Sequence, residues 1–206
     1  MLGMDVELLY RIPALLIALT VHEYAHALVA DSMGDPTPKA MGRLTLNPLA
    51  HLDILGLLML VVVGFGWAKP VGINPSYFRN QKEGLIKVSF AGPGANFFLA
   101  FLAAFLIAAM GKFGILTEGV YTFLLWTQLY NVWFAFFNLI PIPPLDGSKI
   151  LISLLPPRQA YEYLRIEPYS MYILIALLLT GAVGIILRPL AAAFLTAVSF
   201  LLSFIF

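Results

Sequence analysis

The sequence has no cysteine, only three histidines, and charged side chains at just 11% of its 206 positions. Without cysteine there is no disulfide and no thiolate metal site, so any bound metal must be held by nitrogen and oxygen. Lys+Arg number 12 against Asp+Glu 11, a net charge of +1, and no basic stretch is interleaved with aromatics. Nothing here grips nucleic acid. There is no low-complexity tract and no internal repeat. The first ten residues carry Asp5 and Glu7 but no basic run and no small-residue cleavage site. The first apolar segment is therefore expected to be a retained span rather than a signal peptide.

What the chain has instead is apolar length. Hydrophobic residues make up 61% of it, and the mean hydropathy is +0.90. This composition belongs to an integral membrane protein, with room for one compact membrane domain. Apolar segments are expected at 7–31, 54–67, 88–110, 120–140, 169–187 and 189–206. A hydrocarbon core of about 30 Å needs about 20 apolar residues in helix. The segment 54–67 is short and broken by Gly56, Gly64 and Gly66, and an extended stretch follows at 69–74. The expected fold is an all-α polytopic membrane protein with about five transmembrane helices, a re-entrant segment and a strand-like stretch.

Charge favours re-entry at 54–67. If that segment dips in and returns, Lys39, Arg43, Lys69, Arg79, Lys82, Lys87, Lys149, Arg158 and Arg165 share one side. Only Arg11, Lys112 and Arg188 lie opposite. The positive-inside rule then makes the basic side cytoplasmic, and Lys69, Arg79, Lys82 and Lys87 are read as facing lipid headgroups. If the segment spans, most of that bias disappears. Non-helical backbone at membrane depth survives only in protein or beside water, so re-entry implies a wet cavity.

Within the first apolar segment lies His22-Glu23-Tyr24-Ala25-His26. Two histidines four apart share one helix face and can bind one metal, with the glutamate between them placed to activate water. A hydrolytic zinc site usually takes a third protein ligand. Val29 and Ser32 stand where one soluble class would need Gly and His, which excludes that class. The remaining candidates are Asp31, Asp35, Asp53, Asp146 and His51. Asp146 is favoured because it follows an apolar segment at a Pro143-Pro144-Leu145-Asp146-Gly147 break, and an ionisable residue at membrane depth is costly unless functional. His51 with Asp53 is read as a loop pair, and Gly92 and Gly94 as allowing close helix packing. Trp67, Trp126, Trp133 and Tyr169 are read as interface or packing residues.

These motifs together resemble the site-2 protease family of intramembrane zinc metalloproteases, peptidase family M50, over most of the chain. His22-Glu23-x-x-His26 is similar to the family's first motif, and Asn138-Leu-Ile-Pro141-Ile-Pro-Pro-Leu-Asp146-Gly147 to its second. Ala91-Gly92-Pro93-Gly94-Ala95-Asn96 resembles the start of the helix between them. Gly42-Arg43-Leu-Thr-Leu-Asn47-Pro48 and Gly66-Trp-Ala-Lys-Pro70-Val resemble small bacterial and archaeal members. Departures are Asp53-Ile54-Leu55-Gly56, where such members often have Asp-Pro-x-Gly, and Gly72, where they often have proline.

The resemblance implies Zn2+ held by His22, His26 and Asp146, Glu23 as general base, and an active site in the bilayer towards the cytoplasm. The implied substrate is a transmembrane segment of another protein, cleaved in or near the lipid bilayer. Asn138 and Asn96 are candidates to bind exposed substrate backbone or the developing oxyanion. One domain is expected over 1–206, with a catalytic core at about 7–147 and a C-terminal helical pair at about 169–206. A competing reading is a non-proteolytic zinc-binding membrane protein, either a transporter or an inactive relative. Glu23 argues against it, since pure binding needs no base, and no symmetric halves mark a transporter.

Overall fold

Small residues at four-residue spacing decide how the helices meet. The structure, a computed structural model, describes residues 6–53, 56 and 68–206. The first helix, α1 (Leu8–Ser32), is 25 residues long, about 37 Å. Its buried stripe is Ala14, Ala18, His22, His26 and Ala30, one side chain per turn. A short helix, α2 (Thr37–Ala40), follows. Next comes α3 (Gln81–Lys112), 32 residues starting where Asn80 accepts a hydrogen bond from the Glu83 N–H. Its stripe is Val88, Gly92, Asn96, Ala100 and Ala104. The 21-residue α4 (Glu118–Asn138) buries Thr127, Asn131 and Ala135.

These three stripes face one another. α3 packs on both α1 and α4, and α1 also packs on α4. Hydrophobic burial drives little association between helices in lipid, so close approach of small side chains and interhelical hydrogen bonds carry the packing. Large apolar side chains such as Leu9, Ile12, Phe90, Phe98 and Leu102 point outward, where a bilayer would cover them.

The last turn of α4 gives way to Leu139–Leu145, where Pro141, Pro143 and Pro144 forbid a continuous helix. The chain folds back and starts α5 (Asp146–Leu154), which packs on α3. Gly147 makes the return feasible: a Cβ there would lie 2.2 Å from the Leu139 carbonyl oxygen. Then come α6 (Pro157–Leu164), α7 (Glu167–Leu179) and α8 (Ala182–Leu202), with α8 resting against α4 and α3.

The protein is mostly helical. Among the described residues, α1, α3 and α8 are long and apolar enough to cross a membrane, and α7 is apolar but shorter. The expected re-entrant segment, 54–67, lies outside the described residues apart from Gly56. No strand forms at 69–74; an isolated antiparallel bridge joins Leu52 to Ala68, where the segment leads in.

The boundary between the expected segments 169–187 and 189–206 falls earlier in the chain. The turn is at Gly181, which adopts φ +73°, a left-handed conformation natural to glycine, and α8 runs on through Pro189. A proline inside a helix removes one hydrogen bond, a loss that membrane helices tolerate. α3 likewise begins at Gln81, ahead of the expected 88, so Gly92, Pro93 and Gly94 lie inside it rather than at its start.

Candidate metal centre

Three side chains from two stretches of chain converge. His22 and His26 come from successive turns of α1, and Asp146 comes from the first turn of α5. The three are about 95% buried. The Nε2 atoms of the two histidines are 3.0 Å apart. Asp146 Oδ2 lies 3.1 Å from His22 Nε2 and 3.0 Å from His26 Nε2. Among the described residues this is the one cluster of three side chains suited to a metal ion.

The outer nitrogens decide what those inner atoms are. His26 Nδ1 is 2.7 Å from the Val88 carbonyl oxygen, which can only accept, so Nδ1 carries the proton. His22 Nδ1 is 2.6 Å from Asn96 Oδ1, again an acceptor. In the neutral form each ring therefore presents a bare Nε2, and two lone pairs would meet a carboxylate oxygen at about 3 Å. Three electron-rich atoms at that spacing repel one another unless a cation lies between them. Tetrahedral zinc with bonds near 2.05 Å needs donor–donor separations of about 3.3 Å, close to what is found.

The space beside the donors is kept open by Gly92. A Cβ on that residue would lie 2.5 Å from His26 Nε2 and 2.7 Å from His22 Nε2. No side chain fits there without driving the donors aside. The residues present therefore fit zinc.

Glu23, between the histidines, lines the same cavity of about 90 Å³ with Asn138, Pro144 and Lys149. Its far wall is the stretch containing Pro70, Val71 and Ile73. The wall is tied to the helices by carboxylates: Glu23 Oε2 accepts from the Val71 N–H at 3.1 Å, and buried Asp35 from those of Asn74 (2.7 Å) and Thr37 (2.9 Å). Buried Arg43 donates to the carbonyls of Ala50 and Lys69. Asp146 divides its oxygens, Oδ2 facing the histidines and Oδ1 receiving the Lys149 ammonium at 3.3 Å.

The structure brings His22, Glu23, His26, Asp146 and Asn138 to one cavity. Asn138 is half-buried there, its Nδ2 donating to the Phe134 carbonyl. Asn96, expected to face substrate, sits behind His22 instead. It is fully buried, and its amide is used up by His22, the Ala18 carbonyl and Asn131 Oδ1. Asp31, Asp35, Asp53 and His51 stay outside the cluster. His51 is buried in the loop, donating from Nε2 to the Thr45 carbonyl. Gly92, Lys149 and the Val88 carbonyl were not singled out from the sequence as parts of a site. The available signal was the four-residue spacing of Val88, Gly92 and Asn96, the same as that of the histidines.

The family model of peptidase family M50 matches residues 109–181. YwhC of Bacillus subtilis, provisionally named a zinc metalloprotease, is 38% identical over 190 residues, covering 89% of this chain and 86% of that protein. Rip2 of Mycolicibacterium smegmatis, also provisionally named a zinc metalloprotease, is 32% identical over 82% of this chain and 66% of its own length. MJ0392 of Methanocaldococcus jannaschii, named a zinc metalloprotease, is 24% identical over 71% of this chain and 34% of its own length. No solved structure matches the chain. With two histidines and an aspartate arranged for zinc, and 38% identity to YwhC across most of both chains, the protein belongs to peptidase family M50, the site-2 proteases.

Proposed function

We propose that this intramembrane zinc metalloprotease holds its metal through His22, His26 and Asp146 and uses Glu23 as general base. The observation that carries the assignment is the triangle of two histidine Nε2 atoms and a carboxylate oxygen, 3.0 to 3.1 Å on each side, with Gly92 leaving room beside it. When bound, zinc supplies Lewis-acid activation of water and of the scissile carbonyl.

The protein's own groups do the rest. Glu23 takes a proton from the attacking water and passes it to the leaving amine. Its carboxylate is aimed by the Val71 N–H at the cavity wall. Asn138 binds substrate backbone: one N–H of its Nδ2 goes to the Phe134 carbonyl, and among the described residues its Oδ1 has no partner, leaving it to accept a substrate N–H. The stretch 69–74 holds the cleaved segment in extended form by strand addition. A transmembrane helix hides its carbonyls in hydrogen bonds, so the substrate must unwind to enter. The natural substrate is therefore a membrane-spanning protein with a readily unwound segment.

The chain forms one domain that crosses the bilayer about five times, with 54–67 re-entrant and the cavity opening to the cytoplasm. The clustering of nine basic residues on one side, Lys39 to Arg165, supports this orientation. His22 lies 11 residues, about 16 Å, from Met33 at the end of α1, so water reaches it through a polar path from that side.

Glu23→Gln tests the assignment. The variant should bind zinc as the parent does and fail to cleave a labelled transmembrane peptide; retained cleavage would remove Glu23 from the mechanism.

A further inference from the structure

The two zinc-facing histidines are held in different ways. His26 Nδ1 donates to a backbone carbonyl, that of Val88, at 2.7 Å. Among the described residues His22 has no backbone partner of that kind; its Nδ1 meets Asn96 Oδ1 at 2.6 Å. An asparagine amide can present either oxygen or nitrogen, and presenting Nδ2 would demand the opposite ring tautomer. That tautomer would place a proton on Nε2, where the metal must bind. Something has to keep Asn96 oxygen-first.

The chain behind it does so. Asn96 Nδ2 donates to the Ala18 carbonyl at 3.0 Å and to Asn131 Oδ1 at 2.6 Å. Asn131 is oriented in turn, because its Nδ2 donates to the Thr127 carbonyl at 2.8 Å. Both ends of the relay are backbone carbonyls, which only accept. They therefore dictate the direction of every hydrogen bond as far as His22. Asn96 and Asn131 are each 0% exposed, in α3 and α4, and the relay links three helices. A buried amide at membrane depth is costly without partners, and these two have theirs.

We propose that Asn96 and Asn131 are positioning residues: a relay from the α4 backbone fixes the Nδ1-protonated tautomer and ring angle of His22, and so sets metal affinity. This rests on His22 being a zinc ligand. It also accounts for Asn96 facing a ligand histidine rather than substrate. Partners behind ligating histidines typically control affinity by 10- to 100-fold.

The test uses the full chain in detergent, with zinc and then cobalt(II) as the probe metals and no substrate. Asn96→Leu removes the acceptor at similar side-chain volume. Asn96→Leu should weaken zinc binding about 10- to 100-fold in competition with a chelator, and change the visible absorption of the cobalt form. Asn131→Leu, at a residue whose side-chain hydrogen bonds go to Asn96 and the Thr127 carbonyl, should weaken zinc binding by a smaller factor. If Asn96→Leu does not fold, Asn131→Leu decides.

Interhelical packing alone predicts a different result. The melting temperature of the zinc-free protein would fall, while zinc affinity stayed within about twofold rather than 10- to 100-fold, and that would overturn the proposal. Asp146→Ala separates the two levels of the argument. Unchanged zinc affinity in that variant would refute the ligand assignment, whereas a loss there with none in the asparagine variants would refute only the relay.

Discussion

Gly92→Ala is the smallest change that should empty the site. The added methyl carbon would lie 2.5 Å from His26 Nε2, 2.6 Å from His22 Cε1 and 2.7 Å from His22 Nε2. Real contacts of a Cβ are essentially never under 3.0 Å, and ordinary ones begin at 3.4 Å, so the rings must retreat by roughly 0.9 Å. They have no easy direction to go. His26 is held by Val88 and His22 by Asn96, at 2.7 and 2.6 Å. Metal–ligand distances tolerate about 0.2 Å, several times less than the displacement required. A loss of at least 100-fold in zinc affinity is expected, about 2.8 kcal/mol. Gly94→Ala is the internal control. It lies on the same helix, gains the same helix propensity of up to about 1 kcal/mol, and its Cβ would meet only the Phe90 ring at 3.4 Å. Zinc content and chelator competition on the two purified proteins read the difference, with peptide cleavage alongside. Zinc binding by Gly92→Ala at the parental level would refute the account of the cradle.

Gly147→Ala should act through structure rather than through the donors. Its Cβ would lie 2.2 Å from the Leu139 carbonyl oxygen, which is backbone and cannot swing away, so the start of α5 must shift and carry Asp146 with it. Both a lower melting temperature and weaker zinc binding are expected, whereas Gly92→Ala should show chiefly the second. Acid should strip the metal, because zinc binds neutral histidine and ionised aspartate. Lowering the pH protonates these ligands, so apparent affinity in chelator competition should fall as pH falls; a flat profile would count against a His-His-Asp site.

The sequence placed the two histidines and Glu23 securely because helical spacing is a local property: residues four apart meet whatever the rest of the chain does. Asp146 was legible for a different reason. Prolines 141, 143 and 144 end an apolar run beside a lone carboxylate, and a buried charge at a helix break needs a partner. The relay was not legible. Asn131 lies in α4 among Gln128, Thr127 and Thr122, and nothing local says which of them turns inward. Asn96 was recognised as notable but assigned to substrate, because its facing depends on how α3 sits against α1. Gly92 shows the same limit: its role is an absence of volume beside atoms 66 and 70 residues earlier in the chain. The boundary of the C-terminal segments was not legible because Pro189 is the stronger local breaker, yet Gly181 supplies the left-handed backbone the turn requires.

The central claim is that one zinc ion is shared by two histidines and an aspartate contributed from 120 residues beyond them. X-ray absorption at the zinc edge of the purified, zinc-loaded protein tests it most directly. The account predicts two imidazole nitrogens and light oxygen ligands at about 2.0 to 2.2 Å, with one imidazole lost in His22→Ala and an oxygen contribution altered in Asp146→Ala. A spectrum with one or three imidazoles, or one that Asp146→Ala leaves unchanged, would contradict it.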